Sequence, residues 1–309
     1  MDKVTKIKVI GIGGSGSNTV SRMMKHGIDG VELIAVNTDI QDLNKAKAHR
    51  KLRIGRNATE GLGTGMNPRL GEKAAEEDRE AIKEVLKDSD LVFIACGLGG
   101  GTGTGAAPVI AELSRELGIL TVAVVTLPFF FEGKERMAIA KKGLSRLTDR
   151  VDTLISVSND KLLSVIDPGT SVNSAFWICD EALRQAVCGI SDLITLPGII
   201  NIDFADVKAI LKNSGSAIFG VGRAIGDNRA KEAVSAALNL SLVEVACSKA
   251  KGVLFNVSGG GDINLVEINE IAEEIKKRVA PDARIIFGAV QGEDLKKGEI
   301  KVTVVATGF

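Results

Sequence analysis

Five glycines and two threonines stand together at residues 99–105, and the composition of this stretch directly indicates chemistry. The apolar run 91–96 before it predicts a buried strand, and residues 106–117 after it predict a helix. Glycine lets backbone N–H groups approach an anion without a Cβ in the way. The following helix adds unpaired N–H donors and the positive end of its dipole, and threonine hydroxyls can hold phosphate oxygens. The stretch therefore predicts a phosphate-binding loop.

A second glycine-rich loop, at residues 11–16, follows the first predicted strand and satisfies the pattern G-x-G-x-x-G. Asp39 lies at the end of the second predicted strand, near the spacing of a ribose-binding acid, so this loop alone would favour a dinucleotide fold. A dehydrogenase has no use for another glycine loop at the third parallel strand. Two such loops at one sheet edge suit a mononucleotide triphosphate better, and a NAD-dependent oxidoreductase is kept as a remote alternative.

Other familiar nucleotide and metal motifs are missing from the sequence. The loop pattern G-x-x-x-x-G-K-[ST] is absent, and residues 159–161 do not match the N-K-x-D pattern of the common GTPases. The two histidines, His26 and His49, each stand beside a basic residue and support neither a metal site nor a catalytic triad. We therefore expect no metal ligands among the side chains.

The bulk composition limits the partners. Basic and acidic residues both number 39, so nothing points to nucleic acid. The four cysteines form no C-x-x-C pair and suit buried positions in a reducing compartment; they are Cys96, Cys179, Cys188 and Cys247. The longest apolar run, 119–131, contains two threonines and a proline and is too short to span a bilayer. We expect a soluble, cytoplasmic protein without direct membrane insertion.

The elements that must position the two loops alternate between strands and helices. This alternation predicts an α/β fold with a Rossmann-like, doubly wound parallel sheet that binds ligands at the carboxyl ends of its strands. Strands are predicted at 6–10, 32–36, 91–96, 120–126 and 153–157, with helices at 18–25, 68–87 and 106–117. Later in the chain, strands are predicted at 216–222, 252–257, 284–290 and 300–306, with helices at 229–240 and 264–279. We place the nucleotide domain at residues 1–170, a long central helix at 171–197 and a second, smaller α+β domain at 198–309.

Two pairs of side chains outside the glycine loops could read a base or activate water. Phe176 and Asp180 lie one helical turn apart, so Phe176 could stack on a purine while Asp180 accepts hydrogen bonds from guanine. The alternative is a core phenylalanine and an ion pair between Asp180 and Arg184. Asp203 and Asp206 flank a predicted helix start, where acids normally cap the helix, yet the same two carboxylates could orient an attacking water.

Several of these stretches, taken in order along the chain, match one known group of proteins. The run at 99–105 resembles the signature of the tubulin/FtsZ superfamily, and residues 201–207, Asn-Ile-Asp-Phe-Ala-Asp-Val, resemble the catalytic loop of its FtsZ branch. Residues 35–39, 128–136 and 175–181 extend the resemblance over nearly the whole chain. The resemblance implies a GTP-dependent, self-assembling cytoskeletal GTPase of cell division.

The resemblance also implies roles for individual residues. The α- and β-phosphates would contact Gly14, Ser15, Gly16, Ser17 and Asn18, and the β- and γ-phosphates would contact Gly101, Thr102, Gly103 and Thr104. The loop 61–65 would sense the γ-phosphate. The ribose and phosphates would meet Glu132 and Arg136, and the guanine would meet Asn159, Phe176 and Asp180. Trp177 and Cys179 stand where the family often has small or basic residues, so guanine contacts could be adjusted there.

In this family the catalytic loop acts on the nucleotide of the next subunit. The resemblance therefore implies that Asp203 and Asp206 are catalytic across a subunit contact, which Asn201 supports. It further implies GTP and GDP as nucleotides, Mg²⁺ held mainly through phosphates and water, a head-to-tail homopolymer, and division-ring adaptor proteins as partners at midcell. A heterologous contact of this kind propagates into open filaments. The alternative within the superfamily is a tubulin-like filament for cell shape or plasmid segregation.

Overall fold

The structure is a computed structural model that describes residues 5–163, 167, 169–196, 198–239, 249–292 and 295–309. Its contacts divide the chain into two compact units, Met1–Val187 and Cys188–Phe309. The division falls inside the long helix that the sequence predicts as a separate central element, so the predicted domain boundaries stay a prediction. Pro197, at the end of that predicted element, and Cys247 lie outside the described residues.

The first unit is built on a parallel sheet. Its strands are β1 (Ile7–Ile12), β2 (Val31–Asn37), β3 (Arg50–Arg53), β4 (Leu91–Gly97), β5 (Leu120–Leu127) and β6 (Thr153–Ser158). They follow the order β3-β2-β1-β4-β5-β6, and the pairs along this order are parallel. This is the strand order of a doubly wound sheet, in which the chain reverses direction across the sheet after β3. The predicted Rossmann-like α/β fold is confirmed.

The central strands of this sheet are buried, as their sequences require. β1, β4 and β5 read as nearly continuous apolar runs, and every residue of β1 is buried. Strands covered by helices on both faces of a sheet need such sequences. The same core includes the helical residues Ala74, Ala106 and Ile110, each fully buried. Packing of this kind fixes the strand ends from which the two glycine-rich segments leave.

Helices connect the strands of the first unit. They are α1 (Gly13–His26), α2 (Ile40–Lys45), α3 (Arg56–Thr59), α4 (Pro68–Glu77), α5 (Arg79–Leu86), α6 (Gly101–Glu116), α7 (Lys134–Thr148) and α8 (Asn159–Leu163), followed by the long α9 (Val172–Thr195). A 3₁₀ turn at Phe130–Glu132 precedes α7.

Three of the helix predictions are wrong in their limits. α1 begins at Gly13 rather than near residue 18, and α6 begins at Gly101 rather than at residue 106. Most of these glycines therefore belong to the first helical turns instead of to loops, while Gly11 lies in β1 and Gly99 and Gly100 precede α6. The helix predicted at 68–87 is two helices, because the chain leaves helical geometry at Asp78. The Asp78 carboxylate accepts a hydrogen bond from the Gly55 N–H at 2.7 Å, which holds the break in place.

The second unit combines a mixed sheet with helices. Its strands are β7 (Gly215–Ile225), β8 (Gly252–Gly259), β9 (Arg284–Gln291) and β10 (Glu299–Thr307), and its helices are α10 (Phe204–Leu211), α11 (Arg229–Asn239) and α12 (Leu265–Lys276). β10 lies between β7 and β8 and is antiparallel to both, whereas β8 is parallel to β9. The predicted smaller α+β domain is confirmed. None of the helices within the described ranges combines the length and apolar character that crossing a membrane requires.

Candidate functional site

The two glycine-rich segments meet at one edge of the first sheet. Ile12, the last residue of β1, pairs with Cys96 near the end of β4, so α1 and α6 begin side by side. A Cβ on Gly13 would lie 3.2 Å from the Gly103 amide nitrogen, which shows how closely the two backbones approach. The first amides of each helix have no partner within their own helix. The edge therefore offers two sets of backbone N–H donors, the arrangement that binds anions.

Some of these glycines are required by packing alone. A Cβ on Gly16 would lie 2.4 Å from the Ala95 carbonyl oxygen, and a Cβ on Gly101 would lie 2.2 Å from Thr64 Oγ1. Gly105 is tighter still, since its Cβ would meet the Pro68 carbonyl oxygen at 2.0 Å. A side chain of any size at Gly16 would push α1 away from the sheet edge, and one at Gly101 or Gly105 would push α6 away from Thr64 or from α4.

Two other glycines have no such requirement. A Cβ on Gly14 would find its nearest neighbour, Asp42 Oδ2, at 3.6 Å, and a Cβ on Gly100 would meet nothing within 4 Å. Neither residue has a positive φ, so the backbone conformation does not demand glycine either. Both lie at the amino-terminal ends of the two helices. Their missing side chains leave the backbone accessible, as a ligand that binds through backbone amides requires.

The threonines of α6 hold three segments together. Thr102 Oγ1 lies 2.7 Å from Thr38 Oγ1 and 3.2 Å from Thr64 Oγ1, which joins α6 to the end of β2 and to the predicted sensing loop at 61–65. Thr104 Oγ1 accepts a hydrogen bond from the Gly99 N–H at 2.9 Å and so shapes the turn before the helix. One buried hydroxyl cluster therefore links the loop at 61–65 to the start of α6.

Two of the predicted guanine residues, Phe176 and Asp180, lie in the first half of α9, and the third, Asn159, is the first residue of α8. Asp180 contacts two residues of α1, with its Oδ1 3.5 Å from Ser15 Oγ and its Oδ2 3.3 Å from Arg22 Nε. The alternative ion pair with Arg184 is wrong, because Glu181 holds that arginine. Phe176 is 40% exposed, which does not fit the alternative of a core position. The centres of the Phe176 and Phe129 rings lie 5.3 Å apart in an edge-to-face arrangement, and this contact leaves part of the Phe176 side chain accessible to a flat ligand.

Burial sets the electrostatics of this end of the site. Removal from water raises the pKa of Asp180 to about 6, and the charge and hydrogen bond of Arg22, with the Ser15 hydroxyl, limit the rise in pKa. The carboxylate is therefore ionised at neutral pH but close to titration. Its charge is held in a poorly solvated place where two matched N–H donors of a ligand would be bound firmly.

Glu132 and Arg136 lie against the second glycine segment. Glu132 accepts a hydrogen bond from the Phe129 N–H at 2.8 Å, and its other oxygen lies 3.1 Å from Arg136 Nε. A Cβ on Gly99 would lie 2.8 Å from Arg136 Cγ, so the arginine packs directly on that turn. The structure thus places a cation beside the predicted phosphate edge.

Several buried polar atoms around this edge have no hydrogen-bond partner within the described part of the chain, among them Ser17 Oγ, Asn37 Nδ2 and Asn159 Oδ1. Unsatisfied buried polar groups are costly, and in native proteins they call for a reason such as an absent ligand. A cavity of about 240 Å³ also opens beside α1, and Gly14, Ser17 and Asn18 contribute to its lining. Unpartnered polar atoms and accessible glycines together fit a polar, phosphate-bearing ligand.

The predicted catalytic residues lie in the second unit. Asn201 Oδ1 accepts a hydrogen bond from the Gly198 N–H at 2.6 Å and closes the turn after α9. Asp203 precedes α10, but its exposed carboxylate makes no capping hydrogen bond, in contrast to the capping alternative. Asp206 Oδ1 lies 3.2 Å from Arg284 Nη2 in an exposed ion pair. Buried Ile202 and Val207 on either side anchor the segment and leave the acids facing solvent.

Two protein-family models together match most of the chain. The GTPase domain of the tubulin/FtsZ family matches residues 6–167, and the C-terminal domain of the FtsZ family matches residues 215–309. The chain belongs to the tubulin/FtsZ family. Members of the family hydrolyse GTP, so the chain is a GTPase with GTP and GDP as its nucleotides. The NAD-dependent oxidoreductase alternative is wrong.

Solved structures place the chain in the FtsZ branch. An empty FtsZ dimer from M. jannaschii is 48% identical with a TM-score of 0.95, over 100% of this chain and 89% of that chain. A mutant FtsZ from the same organism is 49% identical with a TM-score of 0.95, over 99% and 91%. A GTPγS-bound protofilament of CetZ2 from Haloferax volcanii, 21% identical with a TM-score of 0.81 over 98% and 92%, shares the fold.

The structure places three residues beside the predicted site to which the sequence analysis gave no role in ligand binding. Thr38 joins the hydroxyl cluster of Thr102, Gly100 is the accessible glycine before α6, and Arg22 pairs with Asp180. Thr38 and Gly100 stand inside quoted motifs and could have been assigned from them. Arg22 carries no such signal, because its partner lies 158 residues away in the sequence.

Proposed function

We propose that this FtsZ-family GTPase assembles head to tail into filaments of the cell division ring and hydrolyses GTP where two subunits meet. The observation that carries the proposal is the exposed Asp203 carboxylate, which caps nothing although it stands at a helix start. In the first unit, by contrast, Asp39, Glu132 and Asp180 each accept hydrogen bonds from neighbouring groups. The dimeric state of the M. jannaschii relative supports a site completed by the catalytic loop of another copy.

Within one subunit, the nucleotide lies along the edge where β1 and β4 end. The α- and β-phosphates bind the amides of residues 14–18, and the β- and γ-phosphates bind those of residues 101–104 beside Arg136. The guanine lies between Phe176, Asn159 and Asp180. The accessible glycines and the unpartnered Ser17 and Asn159 atoms support this placement.

Hydrolysis needs a water aligned with the bond between the γ-phosphorus and the oxygen that bridges it to the β-phosphate. Asp203 and Asp206 of the next subunit hold that water and accept its proton as its oxygen bonds to phosphorus. The bridging bond then breaks, and GDP keeps the electron pair on its β-phosphate oxygen. Amides at the start of α6 stabilise the charge that develops there. The products are GDP and inorganic phosphate, and loss of the γ-phosphate weakens the contact between subunits.

Magnesium fits this site as a companion of the nucleotide. The donors at the phosphate edge are amides and hydroxyls, a set suited to phosphate oxygens rather than to a cation. We therefore place Mg²⁺ mainly on the phosphates and water, where it neutralises charge on the β- and γ-phosphates when bound.

The GTPase rate per subunit is expected to rise with protein concentration, because the proposed active site forms only between subunits. We expect turnover to be nearly absent in dilute, monomeric samples and to reach a plateau once filaments form. Phosphate release measured across a concentration series, with light scattering or sedimentation in parallel, tests this. A dilute monomer that hydrolyses GTP at the plateau rate would show that one subunit holds a complete site.

Nucleotide affinity is expected to fall as the pH drops through about 6. Guanine binds the ionised form of Asp180, and its pKa of about 6 in the empty site means that protonation competes with the base below that pH. The expected loss of GDP affinity is about tenfold per pH unit well below the pKa. Calorimetric titration with GDP between pH 5 and 8 (roughly the range that brackets this pKa) measures it.

Protonation of Asp180 does not unfold the protein, so acid unfolding caused by this residue cannot account for the loss of GDP affinity. A folded-state pKa raised from 3.8 to about 6 means that the native state binds more protons than the unfolded state between those two values. The contribution of Asp180 to stability therefore increases as the pH falls through this window. A GDP affinity that is flat from pH 7 to pH 5 (about two units across the pKa) would exclude Asp180 as the guanine ligand.

The alternative is a tubulin-like filament for cell shape or plasmid segregation. The match to the FtsZ family C-terminal domain favours the division role, in which adaptor proteins tie the filament to the division site. Imaging of a labelled, functional chain in dividing cells separates the two. A midcell ring supports division, and a diffuse, lengthwise or polar pattern would favour the alternative.

A further inference from the structure

The guanine end of the site contains a cation, the Arg22 guanidinium, that has no assigned role. Arg22 is a residue of α1, and its Nε donates to Asp180 Oδ2 at 3.3 Å. Its guanidinium carbon lies 5.5 Å from the centre of the Trp177 ring, within the distance at which a cation is attracted to an indole face. Trp177 and Asp180 are three residues apart on α9, so one turn of that helix holds the arginine from two sides.

We propose that Arg22, held by Trp177, is a positioning residue that fixes the Asp180 carboxylate in the orientation in which it reads guanine. The inference rests on the guanine role proposed for Asp180. Ser15 lies at hydrogen-bonding distance from Oδ1 and Arg22 from Oδ2, so each carboxylate oxygen has one contact from α1 and keeps lone-pair capacity for the base.

Guanine makes the orientation of this carboxylate matter. Its N1–H and its exocyclic amine are neighbouring donors in one plane, and both are satisfied only when the two oxygens of the acid lie in that plane. Two contacts at different oxygens restrict rotation of the carboxylate, and because the carboxylate is already restricted, less conformational entropy is lost when guanine binds. Inosine diphosphate lacks the amine, so the ratio of GDP to inosine diphosphate affinity reports how well the second donor is met.

The charge of Arg22 acts in the same direction as its geometry. Arg22 and Ser15 contact Asp180 from α1, Cys179 and Glu181 flank it on α9, and Glu132 lies near enough to act on the same cysteine. Arg184 is engaged by Glu181. Because Arg22 lowers the pKa of Asp180, removal of Arg22 is expected to raise the pH at which GDP affinity begins to fall; we call this part of the pH profile the acid limb.

The test compares Arg22→Met with Arg22→Lys, Trp177→Phe and Trp177→Ala in calorimetric titrations with GDP and inosine diphosphate. For Arg22→Met we expect GDP affinity about tenfold lower at neutral pH, a GDP preference at least about threefold smaller, and an acid limb at higher pH. Arg22→Lys keeps the charge but not the planar guanidinium group. It should therefore restore the pH dependence of GDP affinity more fully than the preference for GDP over inosine diphosphate. Trp177→Phe should resemble the natural protein, and Trp177→Ala should resemble Arg22→Met in weaker form.

The chain offers a second readout and a matched control. Trp177 is the one tryptophan and the sequence has no tyrosine, so intrinsic emission follows this side chain as GDP is added. GDP should change that emission in the natural protein and change it less in Arg22→Met. Arg50→Met removes an arginine from an exposed ion pair with Glu32 at 3.8 Å and should leave the affinity, preference and pH profile unchanged.

The outcomes separate this inference from the function on which it rests. If Arg22→Met keeps the GDP preference and pH profile while Asp180→Asn loses both, the inference is overturned and the guanine role of Asp180 stands. If Asp180→Asn also keeps the preference, the guanine role itself is overturned. Circular dichroism shows which variants fold. If Arg22→Met does not fold, the ratio of GDP to inosine diphosphate affinity in Arg22→Lys and Trp177→Ala provides the test instead.

Discussion

Replacing Asp206 with alanine is expected to lower the GTPase rate per subunit by at least about a hundredfold while GDP affinity stays unchanged. The acid belongs to the proposed catalytic loop of the second unit, and the nucleotide contacts belong to the first. The substitution also removes the exposed ion pair with Arg284, which costs little stability because solvent already screens it. Phosphate release at saturating GTP, calorimetric GDP binding and sedimentation of filaments separate chemistry, affinity and assembly.

Asp203→Ala should behave in the same way, since both carboxylates are assigned to one water. Asp227→Ala is the matched control, because Asp227 is an exposed acid elsewhere in the same unit with no assigned role. An Asp206→Ala protein that assembles normally and hydrolyses GTP at the natural rate would remove the acid from the mechanism. If GDP affinity fell together with the rate, the residue would instead belong to the binding site.

The glycine-rich segments and the sheet could be predicted because strands buried on both faces have apolar sequences that end abruptly. Elements that lack such an apolar run could not be predicted from the sequence. β3 (Arg50–Arg53) is an exposed edge strand made mostly of basic residues, which protects the edge but gives no apolar pattern. The buried residues of α7 are Ala140, Gly143 and Leu147, and two of these are too small to give a clear helical period.

The helix starts at Gly13 and Gly101 could not be read from propensity. Glycine is the poorest helix former after proline, so the first turns of α1 and α6 look like loops in the sequence. Tertiary packing reverses that preference, because only glycine lets these turns lie against the neighbouring backbone at contacts such as Gly16 with the Ala95 carbonyl oxygen. The site shows the same limit at Asp180. A sequence suggests local partners such as Arg184, and only the fold brings Arg22 to it.

Replacing Gly14 with valine is expected to lower GDP affinity by about a hundredfold, or about 3 kcal/mol, without unfolding the protein. The new side chain would occupy the accessible space at the start of α1, where we place the α- and β-phosphates, and would block close approach to the backbone amides. It would not disturb the fold, because the nearest atom to its Cβ lies 3.6 Å away and the backbone of Gly14 has no positive φ. GDP titration and thermal unfolding of the same sample measure the two effects.

Gly105→Ala is the matched contrast, since it adds a smaller side chain at a glycine that packing requires. Its Cβ would overlap the Pro68 carbonyl oxygen, so we expect a large fall in thermal stability. The two variants thus separate a glycine kept for a ligand from a glycine kept for the fold. A Gly14→Val protein that binds GDP normally would place the phosphates away from the start of α1.

Mixing Gly14→Val with Asp206→Ala tests the shared site directly. At a GTP concentration below its raised dissociation constant, the first variant lacks the nucleotide but keeps an intact catalytic loop, and the second binds GTP but lacks the acid. If the loop acts on the nucleotide of its neighbour, a mixed junction is active only in the order in which Asp206→Ala supplies the nucleotide and Gly14→Val supplies the loop. In an equal mixture with random order, about a quarter of the junctions would therefore be active. If each subunit instead used its own loop, neither partner could supply what the other lacks and the mixture would stay inactive. Recovered phosphate release in the mixture, with each variant inactive alone, therefore assigns the catalytic acids to the neighbouring subunit.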